Sequence, residues 1–437
     1  MYKRGLMLER ILTDEFRNQL KATFMDIRET QEKKDENELA KDEERLRHKL
    51  IDSIEPYRSD VVFDTDYMVS AVDGSGSSEL ATLNDVRVHL LSTSTIVLGT
   101  NTKNGAPFMP MDRVTLEAAL GRAQPYVNSY WHSGVRGDAR EKMAETLEDI
   151  YPVSKIPDLI LPFFRDTTNG QIQSIADLSN SRYSEHAAML QTMESLIFYG
   201  QFLTNTHVHD ELRKASEYAA ARAVITSDIR PKYVLLDGAM SMFLHQVGQY
   251  PIMPTGFMLR ELCSVARDKR VVLCAVSKSH TIPGADRIAE LAEEVIGKSN
   301  KWFCFLPGQD DPGGGLHILE KRTYIPPPLA VPYLFSFSQD NRPSRIDFDR
   351  VWWLQDIFVA GDPKKTRQNE KALFRDIEFM SRDARWYGYP VALALAHEEC
   401  KLSYEDLRLA KEIADDVLQE LGMGIRRTVE LREDYNL

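Results

Sequence analysis

Cysteine is scarce in this chain: four residues in 437, Cys263, Cys274, Cys304 and Cys400, with no Cys-x-x-Cys spacing. A density that low excludes a disulfide framework and predicts reduced, buried thiols, as in a cytoplasmic protein. Long apolar runs are also missing. The N-terminus Met1-Tyr2-Lys3-Arg4-Gly5 leads into a charged amphipathic segment instead of an apolar h-region, so neither export nor membrane insertion is expected. There is no internal repeat and no low-complexity tract. Gly313-Gly314-Gly315 is not followed by Gly-Lys-Ser/Thr, which excludes a P-loop and leaves a turn needing positive φ.

Positive charge is lacking as well. The net charge of −12 argues against a protein that grips a phosphate backbone unaided, because that affinity comes from Lys and Arg. Clustered acids at a metal site would contribute to the excess, and bound cations would cancel it. The basic exception is Lys364-Lys365-Thr366-Arg367 with Lys371, Arg375, Arg382 and Arg385, which reads as a solvated helix face.

At 43% hydrophobic and 27% charged, the composition is that of an ordinary globular protein with apolar residues enough for a sizeable core. Leu8, Ile11, Leu12, Phe16, Leu20, Phe24 and Ile27 recur at helical spacing and are followed by a charge-dense stretch from Arg28 to Lys49. A long N-terminal helix or helical pair is expected, either packed on its own domain or serving as a dimerisation or docking arm. Strand-like patterning then predicts a three-strand meander over 67–72, 86–91 and 95–99. Residues 112–228 read mainly as helix. Strand four is expected over 232–236, a helix over 256–267 and strand five over 270–277, a parallel βαβ unit. Strands are expected again at 302–305, 317–324, 332–337 and 346–353, and helices over 369–384 and 390–421.

Two runs carry the chemistry. Ser70-Ala71-Val72-Asp73-Gly74-Ser75 and Tyr233-Val234-Leu235-Leu236-Asp237-Gly238 each read as a buried strand that delivers a carboxylate to the sheet edge. The element order is that of a ribonuclease-H-like α/β fold, a mixed sheet of antiparallel meander and parallel strands flanked by helices. Its first and fourth strands lie side by side, so Asp73 and Asp237 should converge. A third acid is expected from the helix before strand four. Glu217 shares a face with Ala220, Ala221 and Val224 and is preferred over Glu211, which is placed in the first turn, where the helix dipole alone explains an acid.

His397 lies on one stripe with Leu393, Ala394 and Cys400 behind Pro390, and is either a fourth ligand or a core histidine bonded to a carbonyl. Three clustered carboxylates call for divalent cations, and an imidazole among them favours Mn²⁺ over Mg²⁺. Two cations about 3.5–4 Å apart would serve phosphodiester hydrolysis. Lys278 and His280, just past strand five, are candidates for phosphate contact or leaving-group protonation; a lysine at a strand end is otherwise simply solvated.

At Ala71-Val72-Asp73-Gly74-Ser75, Glu217, Leu235-Leu236-Asp237-Gly238, Ala275-Val276-Ser277-Lys278 and Gly388-Tyr389-Pro390 with Leu393 and Ala396-His397, the chain resembles the NurA nuclease family. The resemblance implies a Mn²⁺-dependent nuclease acting on DNA ends, a homodimer, and a hexameric HerA-type ATPase as partner. The corresponding organisation is a helical arm over 1–60 and a nuclease domain over 61–437, with a helical insert at about 105–210. Ala239 departs from the family, where Ser or Pro often follows the second Asp-Gly. The competing readings are a catalytically inactive ribonuclease-H-like subunit of an ATPase complex, and an RNA-directed nuclease or a phosphatase of similar geometry.

Overall fold

The structure, a computed structural model, describes residues 13–34, 51, 53–57, 66–83, 86–101, 106–133, 138–181, 183–184, 192–197, 205–240, 254–278, 285–297, 301–306, 330–337, 343–383, 385–386 and 388–423. The chain forms two compact units, Met1–Asp52 with Val417–Leu437, and Ser53–Asp416. In the first unit the expected N-terminal helix is present as α1 (Asp14–Lys34), with Phe16, Leu20, Phe24 and Met25 exposed along it. Leu8, Ile11 and Leu12 lie outside the described residues.

In the second unit the described strands build one sheet of ten: β1 (Ile54–Tyr57), β2 (Met68–Leu83), β3 (Val86–Asn101), β4 (Ala106–Pro110), β5 (Tyr126–Ser133), β6 (Tyr233–Asp237), β7 (Val272–Ser277), β8 (Lys301–Phe305), β9 (Ala330–Ser336) and β10 (Ser344–Asp349). Their order is β1-β8-β9-β10-β7-β6-β2-β3-β4, and β5 pairs with the stretch of β3 that β4 leaves free. β2, β6 and β7 run parallel, and the other described pairings are antiparallel. The mixed α/β sheet and the βαβ unit are as expected, with β1 inside the stretch assigned to the helical arm.

Several elements differ from expectation. The meander's second and third strands are a single strand, β3, because Ser92-Thr93-Ser94-Thr95 between them holds no Gly, Pro or Asn to turn the chain and threonine suits a pleated strand. The insert expected to be helical begins with β4 and, after the short helix α2 (Arg113–Leu120), continues with β5, whose Tyr-Val-Asn-Ser-Tyr-Trp alternates half-buried and exposed positions. The strand expected over 346–353 stops at Asp349, whose carboxylate caps a helix by accepting from the N–H groups of Val351 and Trp352. The helix expected from 369 begins earlier, at Pro363. The final helix of 390–421 is two helices, since Ser403 and Asp406 form a capping box that starts a new one. The 313–315 glycines and the 317–324 strand lie outside the described residues.

Helices cover both faces of the sheet. On one lie α3 (Asn205–Thr226) and α4 (Pro254–Asp268), together with the helices Asp138–Ile150 and Ile156–Thr167, around Val72, Leu91, Val234 and Leu236. On the other lie α5 (Pro363–Met380) and α6 (Val391–Cys400), packed on Val69, Ala71, Tyr233 and Leu235. The alternation along β2 and β6 assigns neighbouring residues to opposite faces. A last helix, α7, spans Tyr404–Glu420.

All four cysteines are free and buried, and burial pushes the thiols of Cys263 and Cys304 up to about 12. The basic residues at 364–385 lie on and just beyond α5, and several are held in ion pairs: Arg367 with Glu55 and Glu370, Lys371 with Glu55, Arg382 with Glu378, and Arg385 with Asp383. Among the described residues no helix is long and apolar enough to cross a membrane.

Candidate active site

Asp73 and Asp237 end up side by side. β2 and β6 pair in register through Val72 and Leu236, so the next residue on each strand is an aspartate at the same sheet edge. Asp73 is buried, on the Ala71 face, where its Oδ2 lies 2.8 Å from Nδ1 of His397 in the last turn of α6. Cys400 Sγ reaches the same oxygen at 3.6 Å, and the Gly74 N–H donates to Oδ1 at 2.8 Å. The His397 side chain is 59% exposed, so the ring is fixed at one nitrogen while the rest faces solvent.

Asp237 accepts from the Tyr389 hydroxyl at 3.2 Å. Burial, and after it the charge of Asp73, raises its carboxyl above the ordinary range. Lys278 extends from the end of β7, exposed, with its Nζ 5.9 Å from the centre of the Tyr389 ring. His280 lies outside the described residues.

Glu217 approaches from the other face. It is fully buried on α3 against the backbone of β2 at Gly74, where an added Cβ would stand 2.9 Å from Glu217 Oε1 and 3.0 Å from its Cγ. The missing side chain is what admits the carboxylate to the sheet edge. One turn earlier on α3, Arg213 Nη1 holds Oε1 at 2.6 Å and Lys214 Nζ holds Oε2 at 2.8 Å; Lys214 also donates to the Asp237 carbonyl at 3.2 Å. Desolvation nonetheless dominates and raises the Glu217 carboxyl, with Asp73 adding to the rise. Gly74→Ala would displace Glu217 and Arg213 together. That variant is expected to lose about 1–3 kcal/mol of stability, the cost of crowding a packed site, which urea unfolding would measure.

Glu211, the competing acid, is not in the first turn. It lies in the second turn of α3, half-buried, and accepts from Thr255 Oγ1 at 2.7 Å. Burial pushes its carboxyl from 4.5 up to about 7. A carboxyl raised on folding is protonated more readily in the folded chain, so its penalty for ionising grows between pH 4.5 and 7. The Glu211 share of stability should fall across that window by about 3 kcal/mol, and Glu211→Gln should remove that share. Urea unfolding of both proteins at pH 5 and pH 8 measures it.

Four expected residues thus meet in two arrangements. Asp73, His397 and Asp237 share one sheet edge, and Glu217 reaches the same edge from the opposite face, coupled to Asp73 but neutralised by Arg213 and Lys214. Among the described residues no group of three or more His, Cys, Asp or Glu side chains converges as a metal site. Tyr389 is not singled out by the sequence, because in Gly388-Tyr389-Pro390 the proline at the helix start already accounts for the motif. Nor are Arg213 and Lys214, whose signal is their position four and three residues before Glu217 on one helix.

No family model matches the sequence, and no curated protein matches it significantly. Solved structures do match. The chain resembles solved NurA nucleases. The NurA nuclease from Sulfolobus solfataricus aligns at 12% identity over 90% of this chain and 98% of its own, with a TM-score of 0.41. A NurA structure with manganese aligns at 12% identity over 92% and 98%, with a TM-score of 0.35. Ciona intestinalis endonuclease V in complex with a 24mer DNA aligns at 10% identity over 86% of this chain and all of its own, with a TM-score of 0.24.

Proposed function

We propose that this chain is a metal-dependent deoxyribonuclease that hydrolyses phosphodiester bonds at the Asp73–Asp237 edge. The observation that carries the reading is the pairing of two aspartates on adjacent parallel strands, one bonded to a histidine and the other raised by burial and by its neighbour's charge. Like charges so placed are stabilised by a cation, and a site of oxygen donors with one imidazole suits Mn²⁺, with Mg²⁺ as the alternative. Asp73, Asp237 and His397 would contribute to one ion, and Glu217, once released by Arg213 and Lys214, to a second, although these side chains do not converge as a three-ligand site here. When bound, such ions polarise the scissile phosphate and make water a better nucleophile.

The chain's own residues do the rest. Asp73 fixes the orientation of the His397 ring through Nδ1, leaving the other nitrogen on the solvent side as the one that would face an ion. Tyr389 orients the Asp237 carboxylate, and Lys278 beside it is placed to meet a phosphate oxygen. Arg213 and Lys214 offset part of the desolvation that raises the Glu217 carboxyl.

A net charge of −12 supports a nuclease that depends on another protein for its hold on DNA, and a HerA-type hexameric ATPase is the proposed partner, with the nuclease as a homodimer. The setting would be cytoplasmic DNA end processing or defence. One observation favours a second reading, a catalytically inactive subunit of such a complex: Glu217 already has two cationic partners.

Labelled linear and circular DNA incubated with Mn²⁺, Mg²⁺ or EDTA separates the readings. Degradation of linear DNA with Mn²⁺ and none with EDTA is expected; DNA left intact under all three conditions would leave the inactive subunit. Co-elution with a HerA-type ATPase at micromolar concentration tests the partner, and separate peaks would exclude it.

A further inference from the structure

The parallel strands have a second populated end. A cleft of about 680 Å³ opens where β2, β6 and β7 begin, with Arg230, Lys232, Lys269 and Arg270 along it and Asp66 as its one acid. Four residue steps along β6 separate Tyr233 from Asp237, so the cleft lies roughly 13 Å from the carboxylate edge at about 3.3 Å per residue.

Lys232 is engaged, bonded to Asp376 at 2.6 Å and set 4.9 Å from the centre of the Tyr67 ring. Arg230, Lys269 and Arg270 have no carboxylate partner among the described residues. Met68 and Val271 give the cleft an apolar floor.

The backbone singles out two of these cations. Arg230 and Arg270 have φ of +52° and +57°, the left-handed region, which among described non-glycine residues only Asn169 shares. Arg270 follows α4 where the Val271 N–H closes back on the Ala266 carbonyl at 2.9 Å, the helix-ending turn in which glycine is the ordinary residue. The negative ends of α3 and α4 would favour a cation anywhere in the neighbouring turn, and Lys269 already supplies one in a relaxed position. They do not account for arginine at two positions that disfavour any side chain. Backbone strain held twice, both times aiming at one cleft, points to a ligand.

We propose that this cleft binds the phosphate of a nucleotide, free or within a strand, with Arg230 and Arg270 on the phosphate and the Met68–Val271 floor under the base. Planar guanidinium groups match phosphate oxygens, and a cavity of this size accommodates one nucleotide. Only the choice of a nucleotide as carrier of the phosphate rests on the nuclease reading.

The test is equilibrium binding in EDTA, where cleavage is silent, by fluorescence anisotropy of a labelled ten-residue single-stranded oligonucleotide. The double variant Arg230→Gly/Arg270→Gly should bind at least about tenfold more weakly and melt no lower than wild type, because glycine relieves both turns. Arg230→Asn/Arg270→Asn, which also tolerates the left-handed region, repeats the test should the glycine variant fold poorly. Displacement by dAMP or inorganic phosphate identifies a free-ligand site; displacement by unlabelled oligonucleotide alone identifies a strand site. Equal affinity of variant and wild type, or no binding by wild type, overturns the proposal. Loss of binding in the variant of a protein that cleaves nothing would keep the cleft and remove the nuclease; cleavage with arginine-independent binding would do the reverse.

Discussion

Asp237→Asn should lower Mn²⁺-dependent cleavage of linear DNA on the order of 10³-fold while leaving the metal-free protein at least as stable as wild type. The activity loss corresponds to about 4 kcal/mol, the scale of transition-state stabilisation that a catalytic cation supplies when its carboxylate ligand is intact. The stability gain has the opposite origin. Asp237 is partly buried beside Asp73, and burial first, then repulsion from Asp73, raises its carboxyl, so a neutral amide removes a penalty the folded chain carries. Asparagine keeps the shape and can still accept from Tyr389, which bonds the carboxylate at 3.2 Å. An inactive variant that melts lower would mean that Asp237 is structural. A variant with wild-type rate would remove it from the chemistry.

Arg260→Met should destabilise the protein by about 3–5 kcal/mol without any direct effect on the carboxylate edge. Arg260 is fully buried on α4 and bonds Asp166 at 2.6 Å and Asp349 at 2.9 Å. Arg267 completes the square, 2.9 Å from Asp166 and bonded also to Asp349. Asp349 ends β10 and caps the helix after it, and Asp166 belongs to the helix Ile156–Thr167, so four charges fasten three elements. Removing one cation leaves two buried carboxylates with one partner between them, a cost methionine's apolar surface does not offset. The paired arginines hold the Asp349 carboxyl below its usual value, so part of the network's contribution should disappear as pH falls through the carboxylate range. Urea unfolding at pH 7 measures the loss, and an effect under about 1 kcal/mol would show that water replaces the guanidinium.

The sequence alone determined the elements that position the two aspartates. Apolar runs ending in Asp-Gly specify buried strands with a carboxylate at the tip, and the helix α4 between β6 and β7 makes that pair a right-handed parallel βαβ unit. Glu217 was legible from its apolar helix face and His397 from its stripe with Leu393 and Cys400. Where boundaries differ, local chemistry decides them: Ser92–Thr95 continues a strand, and Asp349 and Ser403 each start a helix.

What only the tertiary structure decided is which charges meet. That Glu217 lies across the sheet from His397 depends on β2 presenting Asp73 to one face and Gly74 to the other, a one-residue alternation whose consequence appears once helices occupy both faces. That Arg260 balances Asp166 and Asp349, residues 94 and 89 positions away, follows from no spacing in the chain. Coulomb interactions act through space and depend on burial, and both are properties of the packed sheet and its helices.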